Sequence, residues 1–404
     1  MTFNENRWEL DAVFYVTLKL WKIYKTRDNM TVSELNSIIS TTLIPNIVIL
    51  VIYIVLGTCG NVLVLLVYSF QMKEPSDERY FIPILAAFDL IATIYCGTYT
   101  IYQCLHQVTF TSNILCKTTQ FFIGLTTFIP IFLLVIIAVQ RYLKVCQPLK
   151  PALSLNVKRT ALILTFVISL LFSLPLAFVY GSVPFQSTTY GITGSRCGKL
   201  KEGHRLARDL YAIAVGILAV TLITTLIVLY SLIGLKVFRQ LKLNKRKSSR
   251  VEFRSSMRKT YEDGASGTET SGVTQNNIIS DLDSQIPNSI KEQRLGNNHQ
   301  TTLSQLVGSK RRQMNNRRIT YKLSVMFFVI TLVFLLSYFP KVMLLLIEGL
   351  NKDFWEKVSN IERPGLMFIY HMFIINNIVN PVIYAFMDVK FREEATVFFN
   401  RVIK

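Results

Sequence analysis

Polar side chains inside long apolar stretches are where this chain could do chemistry. Asp89 stands in Leu85-Ala86-Ala87-Phe88-Asp89-Leu90, and Asn61 in Gly60-Asn61-Val62. Asn376, Asn377 and Asn380 share a later stretch, where Pro381 follows Asn380 and Tyr384 comes three residues after that. Polar groups are costly in hydrocarbon, so each needs a partner. These side chains can meet and hydrogen-bond one another. A shared polar core beside a helix-breaking proline suits an element with two arrangements. The plainer reading is that the asparagines only glue helices together, at roughly 0.6–2 kcal/mol per bond. An enzyme is not expected. Intramembrane proteolysis needs paired aspartates, or a nucleophile with its base. Asp89 is the clear acid in mid-stretch, and His106 and His204 fall at loop edges. No His, Cys and acid cluster has metal-ligand spacing.

A second group belongs near one membrane face. Lys341 follows Pro340 directly. A buried lysine needs an acid or water. Three readings stay open for it: a ligand carboxylate or C-terminus, a pairing with Glu348, or snorkelling to the surface. Tyr370, His371, Tyr99, Tyr102, Gln103 and Gln120 add polar and aromatic groups at the same level. Such a cavity suits a peptide better than a lipid.

Apolar segments must position these groups. The chain has 404 residues, of which 51% are hydrophobic and 17% charged; soluble domains carry about 25% charged residues. The apolar mass falls into blocks of membrane-spanning length, about 20 residues each. Seven qualify: Pro45–Tyr68, Tyr80–Gln103, Cys116–Lys144, Thr160–Gly181, Asp209–Arg239, Ile319–Glu348 and Pro364–Met387. Lipid satisfies no backbone group, so helices are expected. The alternating strands of a membrane barrel are not evident. The predicted fold is an all-α bundle of seven transmembrane helices with a short amphipathic helix at the C-terminal end. That helix rests on Val389, Phe391, Val397 and Phe398 alternating with charge.

The net charge of +19 could suggest nucleic acid, but its location argues against that. Between Lys236 and Lys322 there are eighteen Lys and Arg against seven Asp and Glu, a net +11 between two apolar blocks. Basic loops mark the cytoplasmic side and face an anionic leaflet. Seven spans then leave the N-terminus outside the cell and the C-terminus inside, at the plasma membrane. Asn29-Met30-Thr31 is a glycosylation sequon that agrees with an outside N-terminus. Leu10–Trp21 is apolar but broken by Asp11 and Lys19, so the first span is expected to direct insertion itself. The resulting division is 1–43 as an extracellular segment, 44–239 as spans one to five, 240–318 as a cytoplasmic loop, 319–387 as spans six and seven, and 388–404 as the amphipathic helix and chain end. Gly264–Asn298 is polar with no apolar period and is expected to be disordered.

The ordered set of motifs resembles the rhodopsin-like G-protein-coupled receptors. The matching residues are Gly60-Asn61-Val62, Leu85 to Asp89, Arg141-Tyr142, Phe334 to Pro340, and Asn380-Pro381-Val382-Ile383-Tyr384. They stand in the family's order, one set per expected helix, and Cys116 precedes Arg141 by the family's interval. The resemblance implies a receptor that passes ligand binding to a heterotrimeric G protein, with arrestin as a further partner and no cofactor. Arg141 and Tyr142 would meet the G protein. Tyr230, Phe334, Tyr338, Pro340, Asn380, Pro381 and Tyr384 would form the moving parts. Asp89 would be a polar hub with Asn61 and Asn376, and in many relatives it holds a sodium ion. Cys116 and Cys197 would form a disulfide, although Cys104 could compete for either on sequence alone.

The departures from the family matter. Gln140 replaces the acid before Arg141, and Thr320 stands where some relatives have an acid. Both point to a loosely held resting state. Pro130 replaces a serine near the sodium position, Tyr338 a tryptophan and Leu222 a proline. Ile123 removes the aspartate of amine receptors, and Ile374 the retinal lysine of opsins. A decoy or scavenger receptor is the nearest alternative. A transporter, which would show internal repeats and charge pairs, is a further one.

Overall fold

The computed structural model describes residues 30–72, 79–151, 153–187, 191–200, 205–262, 299–351 and 353–402. Asn29, His204 and Gly264–Asn298 lie outside them. Seven helices are long and apolar enough to cross a membrane: Ile44–Phe70, Ile82–Leu105, Asn113–Cys146, Leu155–Val179, Leu206–Gln240, Arg317–Leu350 and Arg363–Met387. In spans two, three, six and seven, 44–50% of the apolar window is buried; in spans one, four and five, 11–22%. The first set therefore forms the interior. The second presents stripes such as Ile44, Val48, Val51, Ile52 and Val55, which only lipid can cover.

Local chemistry explains the ends. Ser112 caps span three by accepting from the Leu115 N–H, and Ser154 caps span four through the Val157 N–H. Span one starts on Pro45 and span two on Pro83, where a missing N–H costs nothing. The largest core cluster joins Val64 and Val67, Leu85 and Ala86, Leu133 and Ile137, Phe327, Ile330 and Phe334, and Ile383 and Tyr384. Close helix approach depends on small residues. A Cβ at Gly57 would stand 2.8 Å from Thr93 Cγ2, and one at Gly60 would stand 3.0 Å from the Pro381 Cβ. Span one thus rests against spans two and seven.

Three features correct or extend the sequence reading. Span four does not run to Gly181. Its helix stops at Ser173, resumes at Leu176–Val179 past Pro175, and passes into strand β1, Tyr180–Gln186. Strand β1 pairs antiparallel with β2, Thr193–Lys199, where no strand was expected. A helix at Val32–Thr42 precedes span one. Thr31 and Glu34 form its capping box, and the Glu34 carboxyl is held below its ordinary pKa by the Thr31 N–H and hydroxyl.

The described chain forms two compact units, 1–230 with 322–404, and 231–321. The second contains the adjoining parts of two long helices, Arg205–Glu262 and His299–Leu350. Within it, the Tyr321 hydroxyl donates to Gln240 Oε1. The terminal helix Val389–Val402 follows span seven closely. It buries Phe391 and Ala395 and half-buries Phe398, one stripe at helical spacing. Val389 and Val397, expected on that face, are exposed instead.

Candidate functional site

Span three carries two functional ends on one helix. Near its start, Cys116 is bonded to Cys197 of β2. Near its other end, Arg141 is fully buried. At 1.5 Å per residue, the intervening helix spans about 37 Å. Cys104 is a free buried thiol, so it does not compete for the bond.

Midway lies the polar core. Asp89 is wholly buried, and Asn380 Nδ2 donates to its Oδ2 at 2.7 Å. This bond ties span two to span seven one residue before Pro381. Asn61 takes a different role: its Nδ2 donates to the carbonyls of Gly57, 2.9 Å, and Asn377, 2.8 Å. It therefore staples span one to span seven and does not reach the Asp89 carboxylate. Asp89 Oδ1, Asn61 Oδ1, Asn376 Oδ1 and Thr93 Oγ1 are buried with no protein hydrogen-bond partner.

At the Arg141 end, the guanidinium carbon lies 5.1 Å from the centre of the Phe327 ring in span six. The Tyr230 hydroxyl accepts from Thr331 Oγ1 at 3.2 Å, joining spans five and six. Gln147 Nε2 donates to the Tyr142 hydroxyl at 3.4 Å. Tyr384 is buried with its ring 6.3 Å from Phe391 of the terminal helix. Arg79 and Asp388, which the sequence reading passed over, form a buried bidentate pair at 2.8 and 3.0 Å. Asp388 also accepts from the Lys390 and Phe391 N–H groups, so it caps the terminal helix while holding the chain before span two.

Between the core and the disulfide end, Phe334 and Tyr338 stack at 4.4 Å, and Tyr338 meets Phe373 at 5.7 Å. The Tyr338 hydroxyl reaches Thr127 at 3.5 Å. Tyr338 thus fills the place of the family's tryptophan with a ring that also carries a polar end.

Above this aromatic layer lies a partly open cleft of about 60 Å³. Spans two, three, six and seven, the β hairpin and the segment before span seven all contribute to its wall. Gln103, Gln120, Glu348, Tyr370 and His371 line it, as the sequence suggested. Three expected residues do not: Tyr99, Tyr102, whose ring packs against Phe110 at 5.6 Å, and Lys341. Tyr99 is buried in a cluster with Phe110, Cys116 and Tyr180. Lys341 places its Nζ 3.5 Å from the centre of the Phe373 ring and 5.4 Å from that of Tyr370, and no ion pair joins it to Glu348. The face of an aromatic ring stabilises a half-buried ammonium that has no acid beside it. The cleft instead takes its positive charge from Arg196 and Arg363, neither of which was singled out as a ligand contact. One signal was available for Arg196, a basic residue directly beside the cysteine expected to bond to span three.

This arrangement is that of a membrane receptor, and the comparisons with known proteins agree. The sequence model of the 7 transmembrane receptor (rhodopsin family) matches residues 60–384. The chain belongs to that family, whose members are receptors and not enzymes. It is 22% identical over 357 residues to the cholecystokinin receptor of Xenopus laevis, covering 86% of this chain and 75% of that protein. It is also 22% identical to the human cholecystokinin receptor type A, covering 83% and 76%. Squid rhodopsin has a similar fold: TM-score 0.60 at 16% identity, over 91% of this chain and 87% of that one.

Proposed function

We propose that this chain is a plasma-membrane receptor that takes an extracellular ligand, a peptide by preference, into the cleft beneath the β hairpin. It passes that binding to a heterotrimeric G protein at Arg141. The carrying observation is that one continuous helix, Asn113–Cys146, bears both the disulfide at the cleft and the buried Arg141 about 37 Å away. Ligand contacts on spans two, six and seven bias the Asp89–Asn380 link and the Tyr338 layer, and the helices open around Arg141. In this reading the N-terminus, with Asn29 as a glycan site, faces outward. The C-terminus and the long basic loop face the cytosol, where arrestin also docks. A peptide is favoured because the cleft is polar and aromatic, and because the relatives named above are receptors for cholecystokinin, a peptide.

A screen of peptides and metabolites on cells expressing the chain, reading calcium and cyclic AMP, tests this proposal. A response lost on Arg141→Ala at equal surface expression is expected. Responses that survive that substitution would sink the coupling role of Arg141. Gln140 supports a second reading, a receptor that binds without signalling. The two readings part on Gln140→Asp. A signalling receptor with a loose resting state loses ligand-free activity, whereas a decoy has none to lose.

A further inference from the structure

We propose that Arg196 and Arg363 form a seat for a carboxylate of the ligand, resting on the receptor reading above. Arg196 comes from β2, one residue before the disulfide, and Arg363 begins span seven. Both line the same cleft. Arg363 is 4% exposed, and its position is fixed: Nη2 donates to the carbonyls of Trp355 and Val358, and its guanidinium carbon lies 5.7 Å from the centre of the Phe185 ring on β1. Both side chains keep a buried Nε–H with no protein partner among the described residues. A guanidinium presents its donors in a planar fork that matches a carboxylate.

The charges around the cleft favour an anion. The lining holds two arginines against one acid, Glu348, and its other titratable members are His106, His371, Tyr180 and Tyr370. No ion pair within 4 Å joins either arginine to an acid among the described residues. Burial lowers the Arg196 pKa, and Glu348, Glu356, Tyr370 and Tyr180 oppose that shift from around it. Glu356 stands outside the lining. A ligand carboxylate would bridge the two guanidiniums, competing with Glu348 for Arg196. Lys341, held over Phe373, takes no part.

The shared chemistry is a carboxylate, and it has two sources: a peptide terminus or a small organic acid. The test is affinity selection, read by mass spectrometry, on the full chain in lipid nanodiscs. One arm uses a library of N-acetylated pentapeptides, each as the free acid and as the amide. The other uses aromatic and aliphatic carboxylic acids against their amides. The expected result is at least tenfold enrichment of acids over amides in one arm. That enrichment should fall to near parity in Arg196→Gln and rise in Glu348→Gln, which removes the competing acid. The arm that responds names the source. Arg363→Gln is read only if its melting profile matches the parent, because Arg363 also holds loop carbonyls. Equal retention of acids and amides in both arms, or a preference unchanged in Arg196→Gln, overturns the seat. The readout is binding alone, so its failure is separate from any failure of G-protein coupling.

Discussion

Asp89 and Asn380 show what a single buried pair does here. Asn380 donates a hydrogen bond to a fully buried carboxyl group. Removing one partner leaves the other desolvated and unsatisfied, which costs about 1–3 kcal/mol. Asn380→Ala is therefore expected to lower the thermal midpoint of the detergent-solubilised receptor by several degrees. Asn61→Ala, which loses two bonds to backbone carbonyls, should also lower that midpoint by loosening span one from span seven. An Asn380→Ala protein that melts like the parent would show that the bond contributes nothing. At this scale the sequence was informative about which residues are special, because an aspartate or asparagine in hydrocarbon stands out without any fold. It was less informative about partners. Asn61 and Asp89 could equally have bonded each other, and only the helix positions show that Asn61 instead reaches the Asn377 carbonyl.

Among the elements, the Arg79–Asp388 pair decides how the terminal helix is held. Breaking a buried pair by removing one partner costs several kcal/mol, roughly 3–5 where the remaining charge has no other support. Asp388 keeps two backbone donors, so Arg79→Met should cost near the lower end. Hydrogen exchange across Val389–Val402 is predicted to quicken in Arg79→Met while spans two and three keep their protection. Uniform exchange in both proteins would contradict the latch. The disulfide acts at the opposite end by closing a loop with a sequence separation of 81. The chain-entropy argument gives roughly 4 kcal/mol for such a loop, less where spans already restrain its ends. Cys116→Ser should reduce surface expression and abolish ligand retention in the cleft, whereas Cys104→Ser should change neither. The seven spans were legible because lipid demands about 20 apolar residues in each. The hairpin was not. Its strands, Tyr-Gly-Ser-Val-Pro-Phe-Gln and Thr-Gly-Ser-Arg-Cys-Gly-Lys, carry glycines and a proline that read as loop, and tertiary pairing overrides that preference. The Arg79–Asp388 pair was hidden for another reason: its members lie 309 residues apart.

For the molecule as a whole, the account joins three levels along span three: a cleft closed by the hairpin, a polar core on Asp89, and a buried Arg141. The order of motifs along the chain already carried the family, because each falls in its own span. The cleft was only half legible. Gln103, Gln120, Glu348, Tyr370 and His371 could be placed by their level in the membrane, whereas Lys341 and Tyr99 share that level but turn to aromatic neighbours. On the receptor reading proposed above, Gln140 in place of an acid before Arg141 predicts measurable ligand-free signalling. The most direct measurement is nucleotide exchange on purified G proteins of each class, driven by the full chain in nanodiscs without ligand, beside Arg141→Ala and empty discs. The account predicts faster exchange on at least one class with the parent chain, returning to the empty-disc rate in Arg141→Ala. Exchange at the empty-disc rate on every class, or acceleration that Arg141→Ala leaves intact, would contradict it.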